Sequence, residues 1–214
     1  MSKYAKQLRR LKINHGFKIK VGNYESLTIN LRVLSSADLN NKYLIKKLSE
    51  WRHRESHWFA SQFSVTFSRT KNWLRESVIN NPDRILFTIE DNKGKFYGHL
   101  GYYRYRSSDN SCELDNVVRG LNEIPGLMTD SVNALISWGF KNLGVDLMYL
   151  TTFSDNERAI NLYRRNGFRI TRKIPLKKIQ KNNEIQWVKI PINEKTGAQR
   201  YYTRMVIDRE QSIV

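Results

Sequence analysis

The segment over residues 154–168 reads SDNERAINLYRRNGF. It predicts a short helix over residues 156–165, because side chains with capping oxygens precede a run of helix-forming residues. Within that helix a small residue, Ala159, lies one turn before an aromatic residue, Tyr163. Gly167 then allows the chain to reverse its direction at the end of the helix.

The elements around this helix predict a mixed sheet. A buried strand over 145–153 precedes the helix, and another strand begins at Phe168. Upstream, the pattern predicts a strand at 27–34, helices near 39–51 and 70–79, strands at 84–90, 95–106 and 111–118, and a helix at 125–143. Downstream, 185–192 and 201–207 are expected to form a terminal strand pair. The step from 111 to 153 implies a parallel pair with a right-handed crossover, so the fold class is α/β with a mixed, α+β-type sheet.

Taken together, these residues resemble the acetyl-coenzyme-A segment of the GNAT N-acetyltransferase superfamily. The family pattern runs Asn, Ala, Leu-Tyr, a basic residue and Gly-Phe, and it is matched by Asn156, Ala159, Leu162, Tyr163, Arg164, Gly167 and Phe168. The resemblance implies a GNAT-like acyl-CoA N-acyltransferase fold, in which helices flank a central splayed sheet. We expect a basic N-terminal extension over 1–26 and one GNAT-like domain over 27–214, with its core at 27–170 and C-terminal strands at 171–214.

The resemblance assigns roles to three residues of the helix. Asn156 would bond the pantetheine arm of the coenzyme or its surroundings, and Ala159 would leave room for the cofactor. Tyr163 would point its hydroxyl at the coenzyme sulfur and act as the general acid for the departing thiolate. A thiolate leaves more easily when a proton donor lies nearby, which gives this role a chemical reason.

A second candidate segment joins the 111–118 strand to the next helix. Unpaired amides and the dipole at a helix N-terminus favour a pyrophosphate, and Gly120 and Gly126 permit close approach of the backbone. The family usually has a compact basic and Gly-rich turn here, whereas this chain has a longer insert that contains Pro125. We expect Arg119 and the amides around Gly126 to hold the phosphates.

The complete set of expected coenzyme contacts follows from this segment and the helix. By the resemblance, the backbone of the splayed strand end would pair with the pantetheine arm. The expected contacts are Val117, Val118, Arg119, Gly120, Gly126, Leu127, Met128, Asn156 and Ala159.

Two carboxylates are candidates for the general base, since an amine must lose its proton before it attacks a thioester. Glu113 and Asp115 lie two residues apart on a strand, so their side chains share one face. Burial and mutual repulsion can raise the pKa of one of them toward neutrality. The alternative is that one or both form salt bridges with the surplus of Lys and Arg.

Composition limits the other classes of function. The 214 residues contain 37 Lys and Arg against 20 Asp and Glu, a formal charge of +17. Residues 1–26 hold seven basic residues against one acid, and residues 171–200 hold eight against two. Positively charged segments of this kind attract phosphates and nucleic acids, but no zinc-finger or RNP-type motif accompanies them. The single cysteine, Cys112, excludes an intrachain disulfide and a multi-cysteine metal site.

The sequence therefore predicts a cytoplasmic acetyl-CoA-dependent N-acetyltransferase with acetyl-CoA as cosubstrate and no metal. The acceptor is a small-molecule or protein amine, and a phosphorylated one such as a nucleotide-linked amino sugar fits the basic segments. Ribosomal or N-terminal protein amines are an alternative, and a non-catalytic module that binds coenzyme A or nucleic acid is the alternative of another class. By the resemblance, the first two helices wall the acceptor site, with Trp51, Arg52, His53, Trp58 and Phe59 as candidate contacts. No membrane span is expected, and a homodimer is left open.

Overall fold

One mixed sheet organises the molecule. The computed structural model describes residues 3–14, 16–191 and 197–212, and over these ranges the strands form a ten-stranded sheet. The strands are β1 (Lys18–Tyr24), β2 (Leu27–Val33), β3 (Ser61–Gln62), β4 (Ile85–Asp91), β5 (Phe96–Arg106), β6 (Ser111–Arg119), β7 (Leu147–Phe153), β8 (Arg169–Lys181), β9 (Glu184–Lys189) and β10 (Arg200–Asp208). Their order across the sheet is β1-β2-β4-β5-β6-β7-β10-β8-β9-β3. The predicted mixed α/β fold is confirmed.

Helices cover both faces of this sheet. They are α1 (Lys3–Ile13), α2 (Lys42–Arg54), α3 (Phe67–Trp73, continued by a π-helical turn at Leu74–Ile79), α4 (Leu127–Trp138, continued by a π-helical turn at Gly139–Leu143) and α5 (Glu157–Arg165). Ile85 and Phe87 of β4 belong to the core under α1, α4 and α5, whereas Leu86 belongs to the core under α2 and α3. This alternation is the period of two that a strand buried on both faces requires.

The parallel pair of β6 and β7 is short. Only Ser111–Glu113 pairs with Leu147–Tyr149, and beyond them β7 pairs only with β10 on its other side. β6 also carries a bulge, where Asn116 has a φ of 51° and the register with β5 shifts. Bulges bend a strand and re-aim its side chains, so β6 turns away from β7 at this point.

Residues 3–13 and 18–24 belong to the sheet and its core. Tyr4 and Leu8 of α1 are buried in the core under α4, and β1 is the edge strand paired with β2. Lys12 Nζ donates hydrogen bonds to the carbonyls of Val78 (3.0 Å), Ile79 (3.1 Å) and Asn81 (2.6 Å). These contacts fix α1 to the end of α3. In α1 and β1, basic residues are interspersed with the apolar residues that the core buries. Composition alone therefore indicated a basic N-terminal extension over 1–26.

The C-terminal strands pair differently from the expectation. The expected terminal pair of 185–192 with 201–207 is wrong, because β10 lies between β7 and β8 while β9 pairs with β8. Ile192 lies outside the described residues. β9 and β10 have similar alternating patterns, and neither sequence specifies which strand it pairs with. The tertiary structure is therefore needed to show that β10 extends the sheet beside β7. This position brings side chains of β10 to the gap beside β6.

Candidate active site

The parting of β6 and β7 opens a cleft of about 970 Å³. Its walls come from β6, β7, β9, β10, α2, α3, α5 and the start of α4. Because β6 loses its partner after Glu113, the backbone groups on that edge over 114–118 have no strand to bond. Unpaired backbone donors and acceptors of this kind need a partner, so the gap suits an extended ligand that carries amides.

The N-terminus of α4 opens into the cleft and offers free amides. Gly126 is the capping residue, with a φ of 78° in the left-handed region that glycine favours. The Leu127 amide donates to the Ile124 carbonyl at 3.4 Å. Within the described residues, the amides of Gly126, Met128 and Thr129 have no backbone acceptor. Together with the helix dipole, these amides can hold an anion such as a diphosphate.

Arg119 and Gly120 have different surroundings. Arg119 lines the cleft, and its Nη1 donates to Asn122 Oδ1 at 2.8 Å. The Gly120 amide donates to the Tyr97 carbonyl at 2.7 Å, and a Cβ at this position would overlap the indole of Trp51. Gly120 therefore provides space for Trp51. Since its amide is already bonded and it does not line the cleft, it is not retained among the coenzyme contacts.

Helix α5 brings its motif residues to the opposite wall. Asn156 Oδ1 accepts a hydrogen bond from the Ala159 amide at 3.2 Å, which caps the helix, and both residues line the cleft. Tyr163 also lines the cleft, is 7% exposed, and packs edge-on against Phe168 with ring centroids 5.9 Å apart. Burial, with a smaller contribution from Asp115, raises the pKa of Tyr163 above its ordinary value. Its proton therefore stays on the hydroxyl at neutral pH.

Glu113 is the more deeply buried of the two carboxylates. Its Oε2 accepts from Arg104 Nη1 at 2.9 Å, and its Oε1 accepts from Thr151 Oγ1 at 3.3 Å. Burial raises the pKa of Glu113, the Arg104 charge opposes that rise, and repulsion from Asp115 adds to it. A carboxylate with a raised pKa is the better proton acceptor at neutral pH.

Asp115 lies on the same face of β6 and is also paired. Its Oδ2 lies 3.0 Å from Arg84 Nε and accepts a hydrogen bond from Asn116 Nδ2 at 2.7 Å. Both carboxylates thus form the salt bridges that the basic composition indicated, and both still line the cleft. Their side chains meet the cleft from the face covered by α2 and α3.

Arginine and aromatic side chains line the face opposite the α4 and α5 walls. Of the candidate acceptor contacts, Arg52, Trp58 and Phe59 line the cleft, whereas Trp51 and His53 do not. The sequence missed Arg104, Thr151, Trp187, Tyr202 and Arg204, which also line it. Alternation along β10 could have placed its two residues on one face, but no sequence signal places that face beside β7.

His99 is the histidine that the structure brings to the cleft. It is buried, and its Nδ1 has no hydrogen-bond partner within the described residues. Burial lowers the pKa of His99 to about 4, the Arg52 charge lowers it further, and the Asn116 backbone opposes the shift. His99 is therefore neutral at physiological pH.

The comparison with known families decides the identity of the fold. A model of the acetyltransferase (GNAT) domain matches residues 28–169. The chain belongs to the GNAT acetyltransferase family. One curated relative, the spermidine N(1)-acetyltransferase of Vibrio cholerae, is 23% identical over 140 residues, which are 65% of this chain and 78% of the relative.

Solved structures of GNAT acetyltransferases share the fold. The crystal structure of spermidine N-acetyltransferase from Vibrio cholerae in complex with CoA and spermine has a TM-score of 0.66 at 16% identity, over 87% of this chain and 98% of that one. A probable GNAT-family acetyltransferase from Chromobacterium violaceum has a TM-score of 0.64 at 15% identity, over 92% of this chain and 89% of that one.

As a GNAT enzyme, the chain is an acetyl-CoA-dependent N-acetyltransferase. The residues present fit this cosubstrate, because the free α4 amides suit its diphosphate and the unpaired edge of β6 suits its amide-bearing arm. Over the described ranges, no helix is long and apolar enough to cross a bilayer. In the same ranges, no three His, Cys, Asp or Glu side chains come together as a metal site.

Proposed function

We propose that this enzyme acetylates the primary amine of a small molecule by direct attack within a ternary complex. The observation that carries the proposal is the parting of β6 and β7 beyond Glu113, with Tyr163 on one wall of the gap and Glu113 on the other. Acetyl-CoA supplies an acetyl group activated as a thioester. Holding this group beside the amine accounts for a large part of the rate, because it replaces a bimolecular encounter by an oriented one.

The side chains divide the proton transfers between them. Glu113 takes the proton that the amine must lose, because burial has raised its pKa toward the working pH. Asp115 is the alternative base on the same face. Tyr163 gives its hydroxyl proton to the departing sulfur, because its raised pKa keeps that proton in place.

The coenzyme would be held along one half of the cleft. The edge of β6 at Val117 and Val118 would bond the pantetheine arm, and Asn156 and Ala159 would flank it. The free amides of the α4 N-terminus, with Arg119, would hold the diphosphate. The Leu127 amide already donates a long hydrogen bond to the Ile124 carbonyl at 3.4 Å. The amides of Gly126, Met128 and Thr129 are therefore the better donors for the diphosphate.

The acceptor proposed first is a nucleotide-linked amino sugar. Aromatic side chains line the other half of the cleft and offer faces for a flat ring, among them Trp58, Phe59, Trp187 and Tyr202. The same opening would admit a protein amine, which keeps ribosomal or N-terminal protein acetylation as the alternative. The curated relative is named for spermidine, a substrate that fits the charges of this cleft poorly, as argued below.

Two measurements test the proposed function. Isothermal titration with acetyl-CoA should show one-site binding, and release of the free thiol in the presence of an amine panel should show turnover. Binding without turnover on any amine would indicate a non-catalytic coenzyme-binding module. Salt-sensitive binding to RNA without coenzyme affinity would refute the proposal and favour a nucleic-acid-binding module.

A further inference from the structure

The cleft has a large excess of positive charge. Nine basic residues line it: Arg52, Arg69, Arg84, Arg104, Arg119, Arg158, Arg165, Lys189 and Arg204. Three acids line it, and each of them is already bonded to an arginine: Glu55 to Arg54 and Arg158, Glu113 to Arg104, and Asp115 to Arg84. No acid of the described lining is therefore free to receive a second ammonium group of an acceptor.

Among the residues that the structure describes, the Arg52 guanidinium has no acidic partner. It stacks on the ring of Phe59, with its Cζ 3.5 Å from the ring centroid, and its Nη2 donates to the Ser61 carbonyl at 2.6 Å. Its Nη1 is buried and has no hydrogen-bond partner within the described residues. Burial lowers the pKa of Arg52 to about 10. An unpaired donor of this kind in a cleft is a natural site for an acceptor oxygen.

Arg204 is another guanidinium of the cleft without an acidic partner in the described part of the chain, as are Arg119 and Arg165. It stacks on Tyr149, with its Cζ 4.2 Å from the ring centroid. Burial lowers the pKa of Arg204, the charges of Arg106 and Arg172 lower it further, and Tyr149 and the nearby Glu113 oppose the shift. Its register partner on β7 is Thr151, the residue that donates to Glu113. Arg204 therefore places a repelled positive charge beside the candidate base.

We infer that Arg52 and Arg204 are anion-binding groups of the acceptor half of the cleft, so that the acceptor is an amine that also carries a phosphate or carboxylate group. This inference rests on the proposed function and names its substrate class. Guanidinium groups bind both kinds of anion through charge-assisted, often bidentate hydrogen bonds. An anion there would satisfy Arg52 Nη1 and relieve the repulsion around Arg204. The phosphates of coenzyme A are a separate case, since they are assigned to the N-terminus of α4.

The test uses the full chain saturated with coenzyme A, so that a phosphate probe cannot occupy the α4 site. Calorimetry at about 0.15 M salt, where long-range attraction is screened, compares glucosamine with glucosamine 6-phosphate, phenylalaninol with phenylalanine, and spermidine. The first pair isolates a phosphate and the second a carboxylate. The variants are Arg52→Gln, Arg204→Gln and the control Lys173→Gln. Lys173 is adjacent to Arg172 on β8, is exposed, and points to the other face of the sheet.

The anionic member of at least one pair should bind more tightly than its neutral partner, by about 10- to 100-fold for one charge-assisted contact. Arg204→Gln should remove most of that preference, and Arg52→Gln should do the same. Within the described residues the Arg204 side chain donates no hydrogen bond, so its replacement breaks none. Lys173→Gln should keep it. Equal binding of both members of each pair, an unchanged preference in both arginine variants, or tighter binding of spermidine would overturn the inference. Failure of coenzyme A itself to bind would refute the proposed function instead.

Discussion

Replacing the hydroxyl of Tyr163 tests the proposed proton transfer with little change in structure. Tyr163→Phe retains the ring that packs 5.9 Å from Phe168. The hydroxyl makes no hydrogen bond to another group in the described ranges, so its removal leaves no buried partner unsatisfied. We expect the free energy of unfolding to change by less than about 1 kcal/mol. The variant therefore isolates what the hydroxyl does to the reaction.

The expected loss is one of rate rather than of affinity. A positioned general acid contributes about 100- to 10,000-fold, so kcat should fall by that factor, while the dissociation constant for acetyl-CoA should change by less than about threefold. Because burial raises the pKa of Tyr163, the hydroxyl keeps its proton beyond the ordinary tyrosine value of about 10. The wild-type rate should accordingly show no loss from Tyr163 ionisation below that pH.

The assay is single-turnover release of the coenzyme thiol, with the best acceptor of the amine panel at saturation. Single-turnover conditions make the chemical steps visible even if product release limits the steady state. Tyr201→Phe is the matched control, since Tyr201 is exposed on β10 and does not line the cleft. An unchanged single-turnover rate in Tyr163→Phe would refute the role of this hydroxyl as general acid.

Three further changes test the base and the framework. Glu113→Gln should lower kcat and remove the acidic limb of the pH profile of kcat. A base acts when it is deprotonated, so the wild-type rate should rise with pH through the raised pKa of Glu113. An acidic limb that persists in the variant would assign the role of base to Asp115. Gly120→Ala should lower the free energy of unfolding by about 1–3 kcal/mol, because its Cβ would overlap Trp51; an unchanged urea midpoint would contradict this. Lys12→Met should lower it by about 1–3 kcal/mol, because three carbonyls lose their donor; stability equal to that of Lys6→Met, a change in the exposed part of α1, would contradict it.

Local signals predicted well the strand and helix on the α5 side of the cleft. The helix over 156–165, its cap at Asn156 and the strand that precedes it are features of contiguous residues, and the structure has them within a residue or two. The parallel pairing of β6 and β7 followed from the strand–helix–strand connection between them. The sequence could not show the role of Gly120, because its small size can serve either a ligand or a neighbouring side chain, and only the structure shows that Trp51 lies against it.

The acceptor half could not be predicted in the same way. Arg204 and Tyr202 reach the cleft because β10 inserts beside β7, a choice among strands that share the same alternating pattern. The pairing of Glu113 with Arg104 depends on the register of β5 and β6, in which Arg104 has a φ of 53° and breaks the regular ladder. Such contacts depend on long-range pairing, which no local propensity encodes.

The two halves of the cleft are also the reason that we do not propose the acceptor of the relative for this chain. The GNAT family model ends at residue 169, whereas Trp187, Lys189, Tyr202 and Arg204 line the cleft from beyond that point. The residues that we propose to hold the coenzyme lie in the shared region, and the region after it contributes to the proposed acceptor half. A polyamine carries several ammonium groups and needs free carboxylates, yet the three acids of this lining are all bonded to arginine. The same fold can thus serve an acceptor of opposite charge, because specificity lies in side chains that the shared coenzyme site does not constrain.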